Sequence, residues 1–383
     1  MANQKYILAL TVAGLLACCT QKKIATNPLK TVLASQNPKI KRVMDSVSQY
    51  DVQIRYTQID RKNDSIYFTD YDFQVDSSNY FYPASTVKLP TVVLALERLN
   101  ASDFLNMNTN FYVEGDSVET TFAVEISKIF LFSDNEANNR LFEFLGQDRI
   151  NNGLEDKGIH PVRISHRLST PDAGNITTKP LIVYLNDSTT TILAPTINSP
   201  IKRLNLRRII KGRGYYKDDI LIHKPFNFSL KNYYPITAQH AVLKRIIFPQ
   251  NFLAKERFHL SQVQREYLLS AMSSLPRTSG YDAEKYPDGY GKLFMYGDTN
   301  DQIPDNIKIY NKLGGAYGTL TDCAYITDTK NQVEFMLTAT ITVNKNGIFN
   351  DDDYEYDEIG IPFLAALGRE LYAAELERKR EQG

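Results

Sequence analysis

The chain has 383 residues, with 44 lysines and arginines against 44 aspartates and glutamates, and it is 43% hydrophobic and 11% aromatic. That suits one large domain or two ordinary ones around a substantial core, and it excludes disorder as the bulk state. The balanced charge gives no reason to expect nucleic acid or a generally basic membrane-binding face, so any charged function has to be local.

After Lys5 comes an uncharged run, residues 6–17, too short to span a bilayer but suited to the core of a signal peptide. It ends in Leu15-Leu16-Ala17-Cys18, which resembles the bacterial lipobox. That resemblance implies lipidation of Cys18 and export to the periplasmic side of a membrane or to the outer membrane. An ordinary cleaved secretory signal is the alternative, and it exports the protein as well. Residues 18–35 read as a polar tether. Of the three cysteines, Cys18 and Cys19 lie at the signal, and Cys323 is left alone as a small buried apolar residue.

A first helix is expected over residues 38–50, where Ile40, Val43, Met44 and Val47 make one apolar face. Val52, Ile54 and Tyr56 then alternate with polar residues as a half-buried strand does, and residues 65–73 read as its hairpin partner. The middle of the chain is predominantly helical, with runs over 85–99, 124–132, 136–145 and 261–272. Three strands follow, over 307–312, 319–327 and 333–343, and Pro362 opens a last helix with Leu364, Leu367 and Leu371 in a stripe. Strands at both ends with helices between them predict an α+β fold. In it, the N- and C-terminal segments (about 36–82 and 305–383) share one antiparallel sheet with flanking helices. A mainly helical lobe (about 83–304) stands beside it, with the active cleft between.

Three short motifs carry chemistry. Ser85-Thr86-Val87-Lys88 opens a helix and puts a hydroxyl and an amine one turn apart on the same side. A desolvated lysine can take the proton of such a serine, and a helix start offers backbone donors to an oxyanion. Ser133-Asp134-Asn135 lies between two helical runs and offers a hydroxyl for proton relay and an amide to orient a substrate. Lys312-Leu313-Gly314-Gly315 ends a predicted strand, with glycines that let backbone approach a ligand and a lysine able to bind a carboxylate. Singly, each has a plainer reading: a capping serine with a surface lysine, an N-cap, a hairpin turn.

Together and in this order they resemble the Ser-x-x-Lys, Ser-Asp-Asn and Lys-Thr-Gly set of class A β-lactamases and penicillin-binding proteins. The likeness is closest along residues 312–326 and implies a domain over 36–383. It implies a β-lactamase/transpeptidase-like fold in which Ser85 is acylated, Lys88 helps to activate it and Ser133 relays protons. It further implies that Asn135 binds the substrate amide, Lys312 holds its carboxylate, and Gly314 and Gly315 border the substrate, with the oxyanion between the amides of Ser85 and Gly315. No metal or cofactor is implied, since the five histidines show no ligand spacing.

The chain departs from that pattern in two places. Leu313 stands where many relatives carry a hydroxyl. The glutamate that positions the deacylating water, in a Glu-x-x-Leu-Asn loop after Ser-Asp-Asn, has no counterpart, because no glutamate occurs between Glu155 and Glu256. Asp172 is the nearest candidate substitute. The loop over about 168–236 is also enlarged. Its basic stretch, Lys202, Arg203, Arg207, Arg208, Lys211 and Arg213, reads as a solvated face or as a contact for an anionic substrate or lipid headgroup. The acidic run 351–358 reads as a solvated loop. The expected function is a serine hydrolase that forms an acyl-enzyme with β-lactams or peptidoglycan amides and esters and releases it slowly. A penicillin-sensitive D-amino-acid carboxypeptidase and a catalytically weak envelope-binding lipoprotein are the alternatives.

Overall fold

A computed structural model describes residues 27–382; the signal core and residues 18–26, Cys18 among them, lie outside the described residues. The rest of the stretch expected as a polar tether instead forms a helix, Pro28–Leu33, whose Leu29, Val32 and Leu33 are buried in the core. We label the strands of the main sheet β1 (Gln53–Lys62), β2 (Ser65–Phe73), β3 (Ile307–Ala316), β4 (Thr319–Asp328) and β5 (Val333–Thr342). All neighbours are antiparallel, in the order β3-β4-β5-β1-β2. The two ends of the chain therefore meet where β1 pairs with β5, Ile54 opposite Ala339 and Tyr56 opposite Leu337.

Both faces of this sheet are covered. Ile54, Tyr56, Ala324, Ile326, Phe335, Leu337 and Ala339 pack into one core beneath the C-terminal helix, with Phe363, Leu364, Leu367 and Leu371 above them. Cys323, Tyr325 and Met336 face the other core, shared with the helical lobe. The alternation along β4 is the period-2 pattern of a strand buried on both sides.

The helices that matter here are α1 (Lys88–Asn100), α2 (Phe122–Phe132), α3 (Asn135–Leu145), α4 (Ile236–Ile247), α5 (Gln262–Ser273) and α6 (Ile361–Gln382). Helix α1 buries Leu89, Val92, Val93, Leu94, Ala95, Leu96 and Leu99, so it is a central post of the lobe and not an amphipathic surface helix. Helix α4 packs across β1, β4 and β5 and joins the lobe to the sheet. Among the described residues no helix is long and apolar enough to cross a membrane.

Three expectations change. The first helix ends at Met44, and a separate 3₁₀ turn covers Val47–Gln49. The strand expected to end at Lys312 continues to Ala316, with the turn at Tyr317-Gly318, both left-handed (φ 54° and 71°), as a two-residue hairpin demands. The enlarged loop contains strands of its own. Leu181–Asn186 and Thr189–Leu193 form a hairpin paired with Asn110–Val113, and Gly214–Lys217 pairs with Ile220–Ile222 and Ile348–Phe349.

The basic stretch within that loop is largely exposed, as a solvated face would be, and most of its side chains are engaged. Arg207 pairs with Asp76, and Arg208 and Lys211 both pair with Asp51. Arg203 donates to Ser229 Oγ and Arg213 to the Asn346 carbonyl. These contacts strap the insertion to residues that border the sheet.

Candidate active site

Ser85 sits in a 3₁₀ turn, Ala84–Val87, that runs directly into α1. Ala84 before it is left-handed (φ 46°), a conformation that costs a non-glycine residue about 1–3 kcal/mol and is tolerated where surroundings fix it. Pressing on this turn is β3. A Cβ on Gly314 would lie 2.6 Å from the Ser85 nitrogen and 3.0 Å from the Pro83 carbonyl oxygen, so only glycine lets the strand come this close.

The hairpin register settles where the neighbouring amide points. A two-residue turn closes on a hydrogen-bonded pair, Ala316 and Thr319, and bonding alternates along antiparallel strands. Gly315, opposite Leu320, therefore falls in a non-bonded position, and β3 is the edge strand. Its N–H points off the sheet edge, as a donor to an oxyanion beside Ser85 has to.

Lys88 is fully buried and reaches across to the junction between α2 and α3. Its ammonium donates to the Ser133 carbonyl, to Asn135 Oδ1 at 2.7 Å and to Ser133 Oγ at 3.3 Å. Its bonds thus go to the second motif, and none goes to Ser85. Burial pulls its pKa down to about 7, against the opposing pull of Asp134, so near neutral pH a large fraction is the free amine.

The junction has a physical cause. Ser133 closes α2 in a left-handed conformation (φ 55°), and Asp134 caps α3 by accepting from the Ala137 amide at 2.9 Å. The sharp reversal turns the Ser133 hydroxyl toward Lys312, whose ammonium donates to it at 2.8 Å and to the Leu313 carbonyl at 2.8 Å. Lys312 is buried, and desolvation, with Lys88 nearby, holds its pKa well below the ordinary lysine value. Ser133 Oγ thus bridges two lysines, the geometry of a proton relay.

Two cavities meet at Ser85. One, of about 660 Å³, is bordered by Asn135, His166–Thr170, Lys231, Gly315–Tyr317, Asp352, Tyr354 and Tyr356. The other, of about 470 Å³, is bordered by Ser133, Lys312 and an apolar wall of Phe130, Leu131, Phe132, Leu293 and Leu313. Left-handed non-glycine residues gather around them: Ser169, Tyr317, Asn350 and Asp352, besides Ala84 and Ser133. Asn135 spans the loop side by donating from Nδ2 to Ser169 Oγ at 2.9 Å.

Asp172 is not brought to this site. It is exposed and borders a separate cavity with Glu136, Glu143 and Asn175. The loop turns at Pro171, and its cavity-facing residues are His166 to Thr170 and Ala173. His166 is there but engaged. Its Nε2 accepts the Asn232 amide at 3.1 Å, which makes Nδ1 the protonated nitrogen, donating to the Arg167 carbonyl at 2.6 Å. Burial lowers its pKa to about 4, so it is neutral, with both nitrogens used. Sequence reasoning also missed Lys231 and the tyrosines 317, 354 and 356; the acidic run that contains two of these is a cavity wall and not merely a solvated loop.

The comparisons agree with the fold. Residues 37–192 match the model of the β-lactamase enzyme family. A class A β-lactamase from Bacteroides cellulosilyticus superposes with a TM-score of 0.51 at 12% identity, over 89% of this chain and 98% of that one. One from Mycobacterium abscessus gives 0.50 at 14%, over 86% and 98%, and a β-lactamase from Burkholderia vietnamiensis gives 0.50 at 14%, over 92% and 98%. No curated protein matches the chain in sequence. Part of the chain is thus similar in sequence to the β-lactamase enzyme family, and its mixed antiparallel fold is that of class A β-lactamases.

Proposed function

We propose that the protein is an exported, lipid-anchored hydrolase that forms an acyl-enzyme at Ser85 with β-lactams or related peptidoglycan amides and esters and releases it slowly. The observation that carries this reading is the convergence of Lys88, Ser133 and Lys312 beside a helix-start serine. Lys88 as free amine takes the Ser85 proton while Oγ attacks the carbonyl carbon, and the oxyanion is met by the amides of Ser85 and Gly315. The proton passes through Ser133 Oγ to the leaving nitrogen, and Lys312 holds the leaving group's carboxylate. Asn135 orients the acyl amide. Intact mass after incubation with a penicillin tests the proposal: one adduct is expected, absent in Ser85→Ala. An adduct retained in that variant places the nucleophile elsewhere, and neither adduct nor penicillin turnover with wild-type protein supports the weak envelope-binding alternative.

A further inference from the structure

The larger cavity holds two cations, and only one is neutralised. Arg167 donates through Nε and Nη2 to both oxygens of Glu143, a buried bidentate pair. Lys231 has no carboxylate partner and no hydrogen bond from its ammonium among the described residues; its neighbours are the rings of Phe226 at 5.9 Å and Tyr317 at 5.8 Å. The cavity's one carboxylate, Asp352, is exposed, lies close enough to Tyr354 and Tyr356 to raise their pKa values, and does not pair with Lys231.

Lys231 is also held in place. Arg163 donates to the carbonyls of Lys202, Ser229 and Lys231. Next to it, Asn232 Oδ1 accepts the amides of Ser165 and His166, while Tyr80 donates to the Asn232 carbonyl at 2.9 Å. The enlarged loop is therefore clamped, at its return to α4, onto the segment that borders the cavity. A cation fixed against aromatic faces in a half-enclosed wall is pre-organised for an anion, because little freedom is left to lose on binding.

We infer that Lys231 is a specificity residue that binds a carboxylate on the acyl side of the substrate, the side marked by Asn135 and Gly315. The inference rests on the acyl-enzyme reading of Ser85. The substrate class is an acyl group ending in a carboxylate, as an acidic peptide branch does. A cavity of about 660 Å³ has room for such a chain beyond the reacting carbonyl.

Two cephalosporins with one nucleus and different 7-acyl groups test it, one glutaryl, ending in a carboxylate, and one phenylacetyl, neutral. The second-order acylation rate of each is read by intact mass. The glutaryl compound should react roughly tenfold faster, the worth of one charge-assisted contact. Lys231→Gln should remove that ratio, and Lys231→Glu should invert it, a reversal that damaged folding does not produce. Equal rates for the two compounds, or a preference that survives Lys231→Glu, overturn the inference while leaving Ser85 as nucleophile. Absence of both an adduct at Ser85 and any turnover of the two compounds overturns the acyl-enzyme reading and this inference with it.

Discussion

Adding a penicillin to the purified protein should trap it as a penicilloyl-enzyme. Acylation needs a nucleophile, a base and an oxyanion site, and Ser85, Lys88 and the Ser85 and Gly315 amides meet those needs. Release needs a base that holds a water as well. His166 has both nitrogens engaged. Asp172 is exposed at a separate cavity. Asp352 and Asp357 are exposed side chains of the cavity walls, with no hydrogen bond fixing them toward Ser85. A positioned general base is worth about 10² to 10⁴ in rate, or about 3 to 5 kcal/mol, so release should lag behind that of an efficient class A enzyme by that factor. Time-resolved intact mass with wild-type protein and Asp172→Ala gives the two half-reactions in one series. A long-lived adduct, equally long-lived in Asp172→Ala, is expected. Rapid steady-state turnover with no visible adduct, or release that slows on Asp172→Ala, refutes the reasoning.

Because burial brings Lys88 to about 7 and the base is its neutral form, the acylation rate should fall about tenfold per pH unit below that value and level off above it; stopped-flow rates across pH check this, and a flat profile counts against Lys88 as base. Glu143→Ala strands the buried Arg167 guanidinium and frees the Lys179 amide, so chemical denaturation should show a loss of about 3 to 5 kcal/mol. Cys18→Ala should release the protein from membranes on fractionation; a mature N-terminus beyond Cys19 without lipid excludes the anchor.

The sheet was legible because its strands obey local rules. Val333 to Ile341 alternate or stay apolar, and β1 and β2 read as a hairpin, since register and face follow from neighbours in sequence. The three motifs were legible because the chemistry demands particular residue types at a helix start, a helix junction and a strand. The insertion was not. Asp51 and Asp76 lie far from Arg207, Arg208 and Lys211 in sequence, and no periodicity announces such pairs. Helix α4 did leave a signal, with Ala238, Val242, Leu243 and Ile246 at helical spacing. The glycines of β3 pointed to a turn by local rules, and the approach of Ser85 explains why Gly314 lies within the strand.

The loss of a hydroxyl at Leu313 weakens the case for carboxylate binding less than sequence alone suggests. Lys88, Lys292 and Lys312 are all buried, and Asp322 is the carboxylate set among Lys292 and Lys312. Burial raises the pKa of Asp322 to about 6, in spite of Asn311 donating to both its oxygens, so part of that one negative charge is lost near neutral pH. Lys292 donates to Asn311 Oδ1 at 2.8 Å and to the Met272 carbonyl at 2.7 Å, which fixes a second lysine behind Lys312. Burial pushes the lysines the same way, Lys292 to about 8 and Lys312 well below the ordinary lysine value, so the whole group leans toward its neutral forms until an anion arrives. The walls of the smaller cavity, Phe132, Leu293 and Leu313, keep the effective dielectric low, and a Coulomb attraction grows as the dielectric falls. Leu313 removes a hydrogen bond and adds to the apolar surround, where a carboxylate brought to Lys312 would favour the ammonium over the free amine, so an anion site at Ser133 and Lys312 does not require the hydroxyl.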